Sequence, residues 1–339
     1  MSIKQTIKSV IPQPIWNRLR RLNNAARLSQ AGRVQARRFR RGMSREDSTD
    51  KARVETRLAF DIHRLEKGLS HVSFRYGFGK SVLREIAKRM TMLEKADPAY
   101  AANPLYLQGL AAVGEYKRRH VEADYDLSEV EAMFPKHIWQ QADVAADSHL
   151  AGSFLMDTAG KRDNLGKGFV NLAEHRYSVR EYSVEPVSQD VLDKVYAVAM
   201  KTPSVCNRQA TRVYQITDSV KIKAALDIQG GFRGYAPPPV LLLVTSDIRA
   251  FMNENERNEP FTDGGLFSMS LLYALEAYGL AACPLNAMFD LSQEQRTRKL
   301  LGIPDNEFLV LYIAVGNFPD TVPVCRSARK AVADVVTKI

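Results

Sequence analysis

Two short polar segments in the second half of the chain carry side chains that suit a mononucleotide. Residues 176–180 read RYSVR, so two arginines flank a serine. Arginine presents a planar fork of donors that matches a phosphate, and a serine hydroxyl adds a further donor. In residues 203–209, the side chains of Ser204, Asn207 and Gln209 suit the amide edges of a flat heterocycle. Together the two segments predict a mononucleotide cofactor site.

The spacing of the two arginines favours a shared direction. Arg176 and Arg180 are four residues apart, so on a helical turn they would face the same way. Two more arginines, Arg326 and Arg329, occur near the end of the chain. By composition alone, all four could equally be exposed arginines of a basic protein, so the interpretation depends on the motifs around them.

Further motifs follow the first segment in a fixed order. They are Pro-Ser-x-x-Asn-x-Gln at 203–209, Ala236-Pro237 before an apolar strand, a helix opened by Asp263-Gly264-Gly265 and ending in Gly279-Leu280, a proline-centred turn at 284–287, a strand reaching Gly316, and Ser327-x-Arg329. With Arg-x-Ser-x-Arg at the front, this order resembles the nitroreductase family of FMN-dependent oxidoreductases over about the C-terminal half of the chain. Each motif alone is weakly specific, and the specificity lies in their order.

The resemblance implies a fold and a site. The fold would be α+β, a three-layer sandwich with a central mixed, mostly antiparallel sheet flanked by helices, preceded here by an all-helical region. The implied cofactor-binding residues are Arg176, Tyr177, Ser178, Arg180, Pro203, Ser204, Val205, Asn207, Gln209, Pro284, Leu285, Asn286, Ala287, Arg326 and Arg329.

The family's roles carry over to these positions. The 176–180 segment would contact the phosphate, the ribityl chain and one edge of the flavin, and Arg326 or Arg329 would close the phosphate site. The 203–207 residues would come from the second subunit of a homodimer. Residues 284–287 would pass beside the isoalloxazine ring with a backbone N–H directed at N5. Asn286-Ala287 stand where the family commonly has Glu-Gly, a departure that bears on the N5 contact and on substrate preference.

The chemistry implied is hydride transfer from NAD(P)H through flavin N5 to a small-molecule acceptor. This reaction needs no acid–base pair, so no catalytic residue is assigned. His175 is interpreted as structural or exposed, and Cys206 first as a small packing residue. The three cysteines are widely spaced, which excludes a disulfide framework and gives no metal pattern, and a reducing cytoplasm is the expected compartment.

The net charge of +10 is concentrated at the N-terminus. Residues 1–45 contain 2 Lys and 10 Arg and no acidic residue, which gives this arm +12 and leaves −2 for the remainder. Ile3, Ile7, Ile11, Ile15, Leu19 and Leu22 form a helical stripe in it. Pro12 and Pro14 are expected to break or kink that helix. The arm could contact a membrane surface or dock on its own protein, and no nucleic-acid partner is expected because no binding motif accompanies the charge.

Three domains are predicted: the basic amphipathic arm at 1–45, a helical region at 46–165 and the FMN-binding domain at 166–339. In the second, the segment from His63 to Leu69 is interpreted as a helix end with Gly68 as its left-handed cap. In the third, Ser292-x-x-Gln295 predicts a capping box, and the apolar run from Val240 predicts a strand buried on both faces. An alternative function is a non-catalytic scaffold of the same fold, placed at a membrane or in an assembly by the arm.

Overall fold

A computed structural model describes residues 12–339, and Ile3, Ile7 and Ile11 of the predicted stripe lie outside this range. Its helices are α1 (Gln13–Gly42), α2 (Lys51–Leu69), α3 (Lys80–Ala96), α4 (Pro104–Val121), α5 (Ser128–Glu131), α6 (Lys136–Ala145), α7 (Phe169–His175), α8 (Gln189–Ala199), α9 (Ser219–Gln229), α10 (Glu259–Ala277) and α11 (Leu291–Leu301). Its strands are β1 (Ser153–Asp157), β2 (Thr211–Ile216), β3 (Val240–Asp247), β4 (Leu280–Asn286), β5 (Glu307–Asn317) and β6 (Thr321–Cys325).

Helix α1 is long and exposed along its whole length. None of its residues is buried, although Arg27 forms an ion pair with Glu254 at 2.7 Å. The helix begins at the two prolines: Pro12 caps it and Pro14 lies in its first turn. Backbone N–H groups in the first turn of a helix have no intrahelical acceptor, so a proline, which lacks this N–H, does not disrupt the helix there. The predicted break between this helix and the residues before Pro12 stays a prediction, because those residues lie outside the described range.

Helices α2 to α6 form a separate hydrophobic core. Its fully buried side chains include Leu58, Leu65, Leu83, Met90 and Tyr116. This matches the expectation of a helical region before the flavin domain, except that the region predicted as all-helical also contains the strand β1. Helices α2 and α3 each bury one apolar face, because their hydrophobic residues recur at three- and four-residue intervals, whereas α4 is buried on all sides from Gly109 to Tyr116.

The assignment of Gly68 as a helix cap is wrong. Helix α2 continues through Gly68 to Leu69, and Ser70 caps it with a negative φ of −90°. The glycine is needed for packing, because a Cβ at this position would lie 1.9 Å from the Phe78 ring. The glycine therefore lets the end of α2 approach Phe78 closely.

The flavin-domain sheet has the order β2-β3-β5-β4, and neighbouring strands are antiparallel throughout. Every residue of β3 is buried, as the apolar run predicts. Helices α8 and α10 pack on one face, and α9 and α11 pack against each other on the opposite face. The predicted three-layer α+β sandwich is thus confirmed.

Two local predictions in this domain need correction. The capping box of α11 is formed by Asp290 and Gln293, two residues earlier than expected. The Gln293 N–H donates to the Asp290 carboxylate, and the Asp290 N–H donates to Gln293 Oε1. Helix α10 begins at Glu259, before Asp263, with Pro260 in its first turn.

Strands β1 and β6 form a small second sheet. They pair antiparallel from Ser153 with Cys325 to Asp157 with Thr321. Strand β1 lies before residue 166, so the chain preceding the predicted boundary contributes a strand that pairs beside the flavin domain.

Candidate active site

The arginine segment is extended. Helix α7 ends at His175, and Arg176 has φ −76° and ψ 117°, so residues 176–180 do not form the helical turn on which the two arginines would face the same way. In an extended chain, alternate residues share a side, which still places the two arginines in one direction. The segment runs beside the edge strand β4, where the Val179 N–H donates to Ala282 O at 3.0 Å.

A buried ion pair fixes the start of this segment. The ammonium of Lys161 donates to His175 O at 2.6 Å and pairs with the buried carboxylate of Glu276. The interpretation of His175 as structural or exposed agrees with its position, since its ring is exposed and Nδ1 lies 2.9 Å from Asn171 O.

Both arginines of the motif have few hydrogen-bond partners and no ion-pair partner among residues 12–339. Arg180 is only 8% exposed, yet its guanidinium contacts only Ser178 O at 3.4 Å and Cys325 Sγ at 3.5 Å. Nη1 of Arg176 is buried without any hydrogen-bond partner. Neither arginine pairs with a carboxylate among residues 12–339. Because buried charges are normally paired, two such arginines indicate a site for an anion.

Tyr177 and Arg326 both contact the ring of Phe154. Tyr177 packs edge-on against Phe154 at 5.2 Å, and the Arg326 guanidinium lies 5.3 Å from the centre of the same ring. The structure therefore brings Arg326 close to the 176–180 segment through β1. Arg329 is exposed and its guanidinium donates to the carbonyl of Ser327.

The predicted turn at 284–287 is largely a strand. Pro284 pairs with Ile313 and Asn286 with Leu311, so β4 runs through all but the last residue of the motif. Proline is tolerated there because β4 is the outer strand and needs no donor on its free side. Asn286 O accepts from Gln229 Nε2 at 3.1 Å, which ties the strand end to α9.

Loop 203–209 is anchored to a different part of the domain. The Val205 N–H donates to the carboxylate of Asp263 on α10 at 3.1 Å, and the Gln209 N–H donates to Ser204 Oγ at 2.9 Å. Its backbone is unusual, since Cys206, Asn207 and Gln209 all have positive φ. Cys206 is exposed rather than packed. No hydrogen bond within the described residues joins this loop to residues 176–180 or 284–287.

Sequence reasoning missed a third group at the site, the end of helix α2. Tyr235 stacks on His71 with ring centres 3.8 Å apart and donates its hydroxyl proton to Lys67 O at 2.7 Å. Ser70 Oγ lies 3.4 Å from Cys325 Sγ, the thiol that Arg180 contacts. The sequence signal that could have pointed to this group is the run of cationic residues and a glycine around residue 67. The helical pattern of the same residues was interpreted only as the end of a helix.

Burial and neighbouring positive charges shift the pKa values of the titratable groups around Arg180. Burial lowers the pKa of Lys67, and the neighbouring Arg180 guanidinium lowers it further. Burial also lowers the pKa of His71, assisted by Arg75, Arg180 and Lys67. Burial raises the pKa of the Cys283 thiol on β4, against the pull of Arg180, Lys67 and Arg176. Cations at this position suit a bound anion.

The residues present fit FMN. An orphaned buried donor on Arg176 and an unpaired buried Arg180 supply what an anionic mononucleotide requires, and the strand β4 beside them supplies an apolar wall. Such a fold and site define a domain of the flavin oxidoreductase class.

Comparison with known proteins gives the family. Residues 173–237 and 229–317 match the model of the nitroreductase family. The C-terminal part of this chain, residues 173–317, is therefore similar to the nitroreductase family. The match includes residues 176–180, 203–209 and 284–287, and it ends before Arg326.

Curated relatives cover the same part of the chain. An FMN reductase [NAD(P)H] from Bacillus subtilis (strain 168) is 27% identical over 175 residues, which is 47% of this chain and 67% of the relative. An NADH dehydrogenase from Thermus thermophilus is 24% identical over 172 residues, 42% of this chain and 82% of the relative. The solved structure of an FMN-dependent nitroreductase from Clostridium difficile R20291 has a TM-score of 0.39 and 18% identity, covering 44% of this chain and 87% of its own.

These matches bear out the predicted family, its restriction to the C-terminal half and the class of enzyme, an FMN-dependent oxidoreductase of the nitroreductase type. They also support the predicted cofactors, FMN and NAD(P)H. The individual binding residues and the domain boundaries stay predictions. Within residues 12–339, no helix is both long enough and apolar enough to cross a bilayer.

Proposed function

We propose that the protein binds FMN against residues 176–180 and β4, and transfers a hydride from NAD(P)H to a small-molecule acceptor. The observation that carries the proposal is the buried guanidinium of Arg180 together with the buried Nη1 of Arg176, neither of them paired with a carboxylate among residues 12–339, within the matched segment. FMN, when bound, supplies hydride acceptance and donation at N5.

The protein's own part in this reaction is positioning and electrostatics. Arg176 and Ser178 would hold the anionic end of the cofactor, with Arg326 nearby across Phe154. Arg180 would lie at the ring, where a fixed positive charge favours a group that gains negative charge on reduction. Pro284 and its neighbours on β4 would exclude water from one face of the ring.

We also propose a homodimer in which loop 203–209 reaches the cofactor of the partner subunit. Support comes from its attachment to α10 instead of to the 176–180 segment of the same chain. Helix α10 also exposes Leu266 and Met269, apolar side chains that a second copy could cover.

A first experiment is the absorbance spectrum of the purified protein. We expect a yellow protein whose flavin band is released on denaturation and identified as FMN by chromatography. NADH and NADPH oxidation assays then identify the electron donor. Colourless protein that takes up no added FMN would refute the enzyme function and leave the scaffold alternative.

Contact with an anionic membrane surface through the N-terminal arm is a second proposal. The observation in its favour is that Ile15, Leu19 and Leu22 of α1 are 53%, 48% and 60% exposed at helical spacing, beside Arg18 and Arg21. Sedimentation with vesicles that contain phosphatidylserine should retain the full chain and lose it when residues 1–45 are deleted. Equal sedimentation of both proteins would contradict the proposal.

A further inference from the structure

The end of helix α2 is held rigidly against the flavin domain. The buried Glu66 carboxylate accepts hydrogen bonds from the N–H groups of Gly152 at 3.1 Å and Ser327 at 3.3 Å. Arg119 Nη1 donates to Leu69 O at 2.7 Å. These contacts fix the last turn of α2, and with it Lys67, relative to the C-terminal segment that follows β6.

Tyr235 brings the same turn close to the arginine motif. Its hydroxyl donates to Lys67 O at 2.7 Å and lies 3.2 Å from Ser70 Oγ. Ser70 in turn contacts Cys325, which contacts Arg180. A continuous set of polar contacts thus joins the Lys67 turn to the buried guanidinium of Arg180.

The ammonium of Lys67 makes no ion pair and no hydrogen bond within the described part of the chain. Another lysine of the same helix, Lys51, pairs with Asp97 at 2.8 Å. The nearby Glu66 is already used by backbone N–H groups and by His63 Nδ1 at 3.3 Å. Lys67 is therefore a partly buried cation without an anionic partner.

Cys283 of β4 has three cations in its neighbourhood. Lys67, Arg176 and Arg180 all lie near enough to Cys283 to act on its thiol electrostatically. Cys283 directly precedes Pro284, the start of the strand segment proposed to line the flavin ring. Like charges in a buried position repel one another, so a bound anion that neutralises them is favoured.

We propose that Lys67 is a cofactor-binding residue, contributed by the N-terminal helical region, whose ammonium contacts an anionic group of FMN. That group is either the phosphate or the N1–C2=O edge of the reduced ring. The inference depends on the proposed function. Lys67 would be a cofactor contact from outside residues 173–317, the part of the chain that matches the family model.

The test compares flavin affinity in three variants. Lys67→Met removes the charge and keeps the chain length, Lys67→Arg retains a cation, and Lys95→Met removes an exposed lysine from α3 as a matched control. Dissociation constants for FMN and for riboflavin come from quenching of flavin fluorescence by stripped full-length protein. The midpoint potential of bound FMN and the melting temperature are measured in parallel.

We expect Lys67→Met to weaken FMN binding about tenfold or more, from the loss of one charge-assisted contact. The Lys67→Arg and Lys95→Met variants should stay near the wild type. If the phosphate is the partner, riboflavin affinity is unchanged in Lys67→Met. If the ring edge is the partner, riboflavin also binds more weakly and the midpoint potential becomes more negative.

Two results would overturn the inference while leaving the function intact. One is wild-type affinity and potential in Lys67→Met. The other is an equal loss in Lys67→Met and Lys67→Arg together with a lower melting temperature, which indicates a packing role. If the wild-type protein binds neither flavin, the proposed function fails as well, so the two failures are distinguishable.

Discussion

Replacing Arg180 by methionine should separate cofactor binding from stability. Methionine fills similar space without charge, while the guanidinium it replaces is 8% exposed and contacts only a carbonyl oxygen and a thiol. A charge-assisted contact contributes about 1.5–3 kcal/mol, and 1.4 kcal/mol corresponds to a factor of ten. FMN should therefore bind roughly 10- to 100-fold more weakly to the variant.

Unlike FMN binding, the stability of the cofactor-free protein should not be weakened by Arg180→Met. A buried charge without a carboxylate partner destabilises the folded state, so its removal is expected to leave the free energy of unfolding unchanged or raise it. The assays are fluorescence titration with FMN and urea unfolding of stripped protein. Arg84→Met on α3 is the control, because Arg84 is exposed and far in sequence from the motif. Unchanged FMN affinity in Arg180→Met, or a loss of stability as large as the loss of binding energy, would refute the placement of the cofactor at Arg180.

Two further predictions concern stability. Gly68→Ala should lower the free energy of unfolding by about 1–3 kcal/mol, because the added Cβ would overlap the Phe78 ring. Gly32→Ala in α1 is the control, since a Cβ there meets no atom within 4 Å and should not lower the stability. Equal melting temperatures for the two variants would contradict the prediction. Hydrogen bonds from Arg249 lower the pKa of Asp247 below its unfolded value, so its contribution is complete above about pH 4 and is lost as the pH falls. In urea unfolding at pH 7, Asp247→Asn should therefore be less stable than the wild type. The difference in the free energy of unfolding should shrink toward pH 2. A difference that is independent of pH would show that Asp247 acts through packing.

Local sequence signals predicted the layered domain well and its details less well. The apolar run at Val240 correctly predicted a fully buried strand. The capping box was placed two residues late, because Ser292 and Asp290 are both plausible caps and only the backbone conformation chooses between them. The four-residue spacing of Arg176 and Arg180 puts the two side chains on one side in a helical turn and in an extended chain alike, so it could not decide the conformation of residues 176–180.

The sequence by itself determined that the C-terminal half resembles the nitroreductase family, because the order of the Arg-x-Ser-x-Arg, 203–209 and 284–287 motifs is a property of the chain. It also located the positive charge of the N-terminal arm. Only the tertiary structure revealed that Lys67, more than a hundred residues before Arg180, lies beside it. Contacts between distant segments depend on how two hydrophobic cores pack together, and periodicity within a single helix carries no information about what lies against its end.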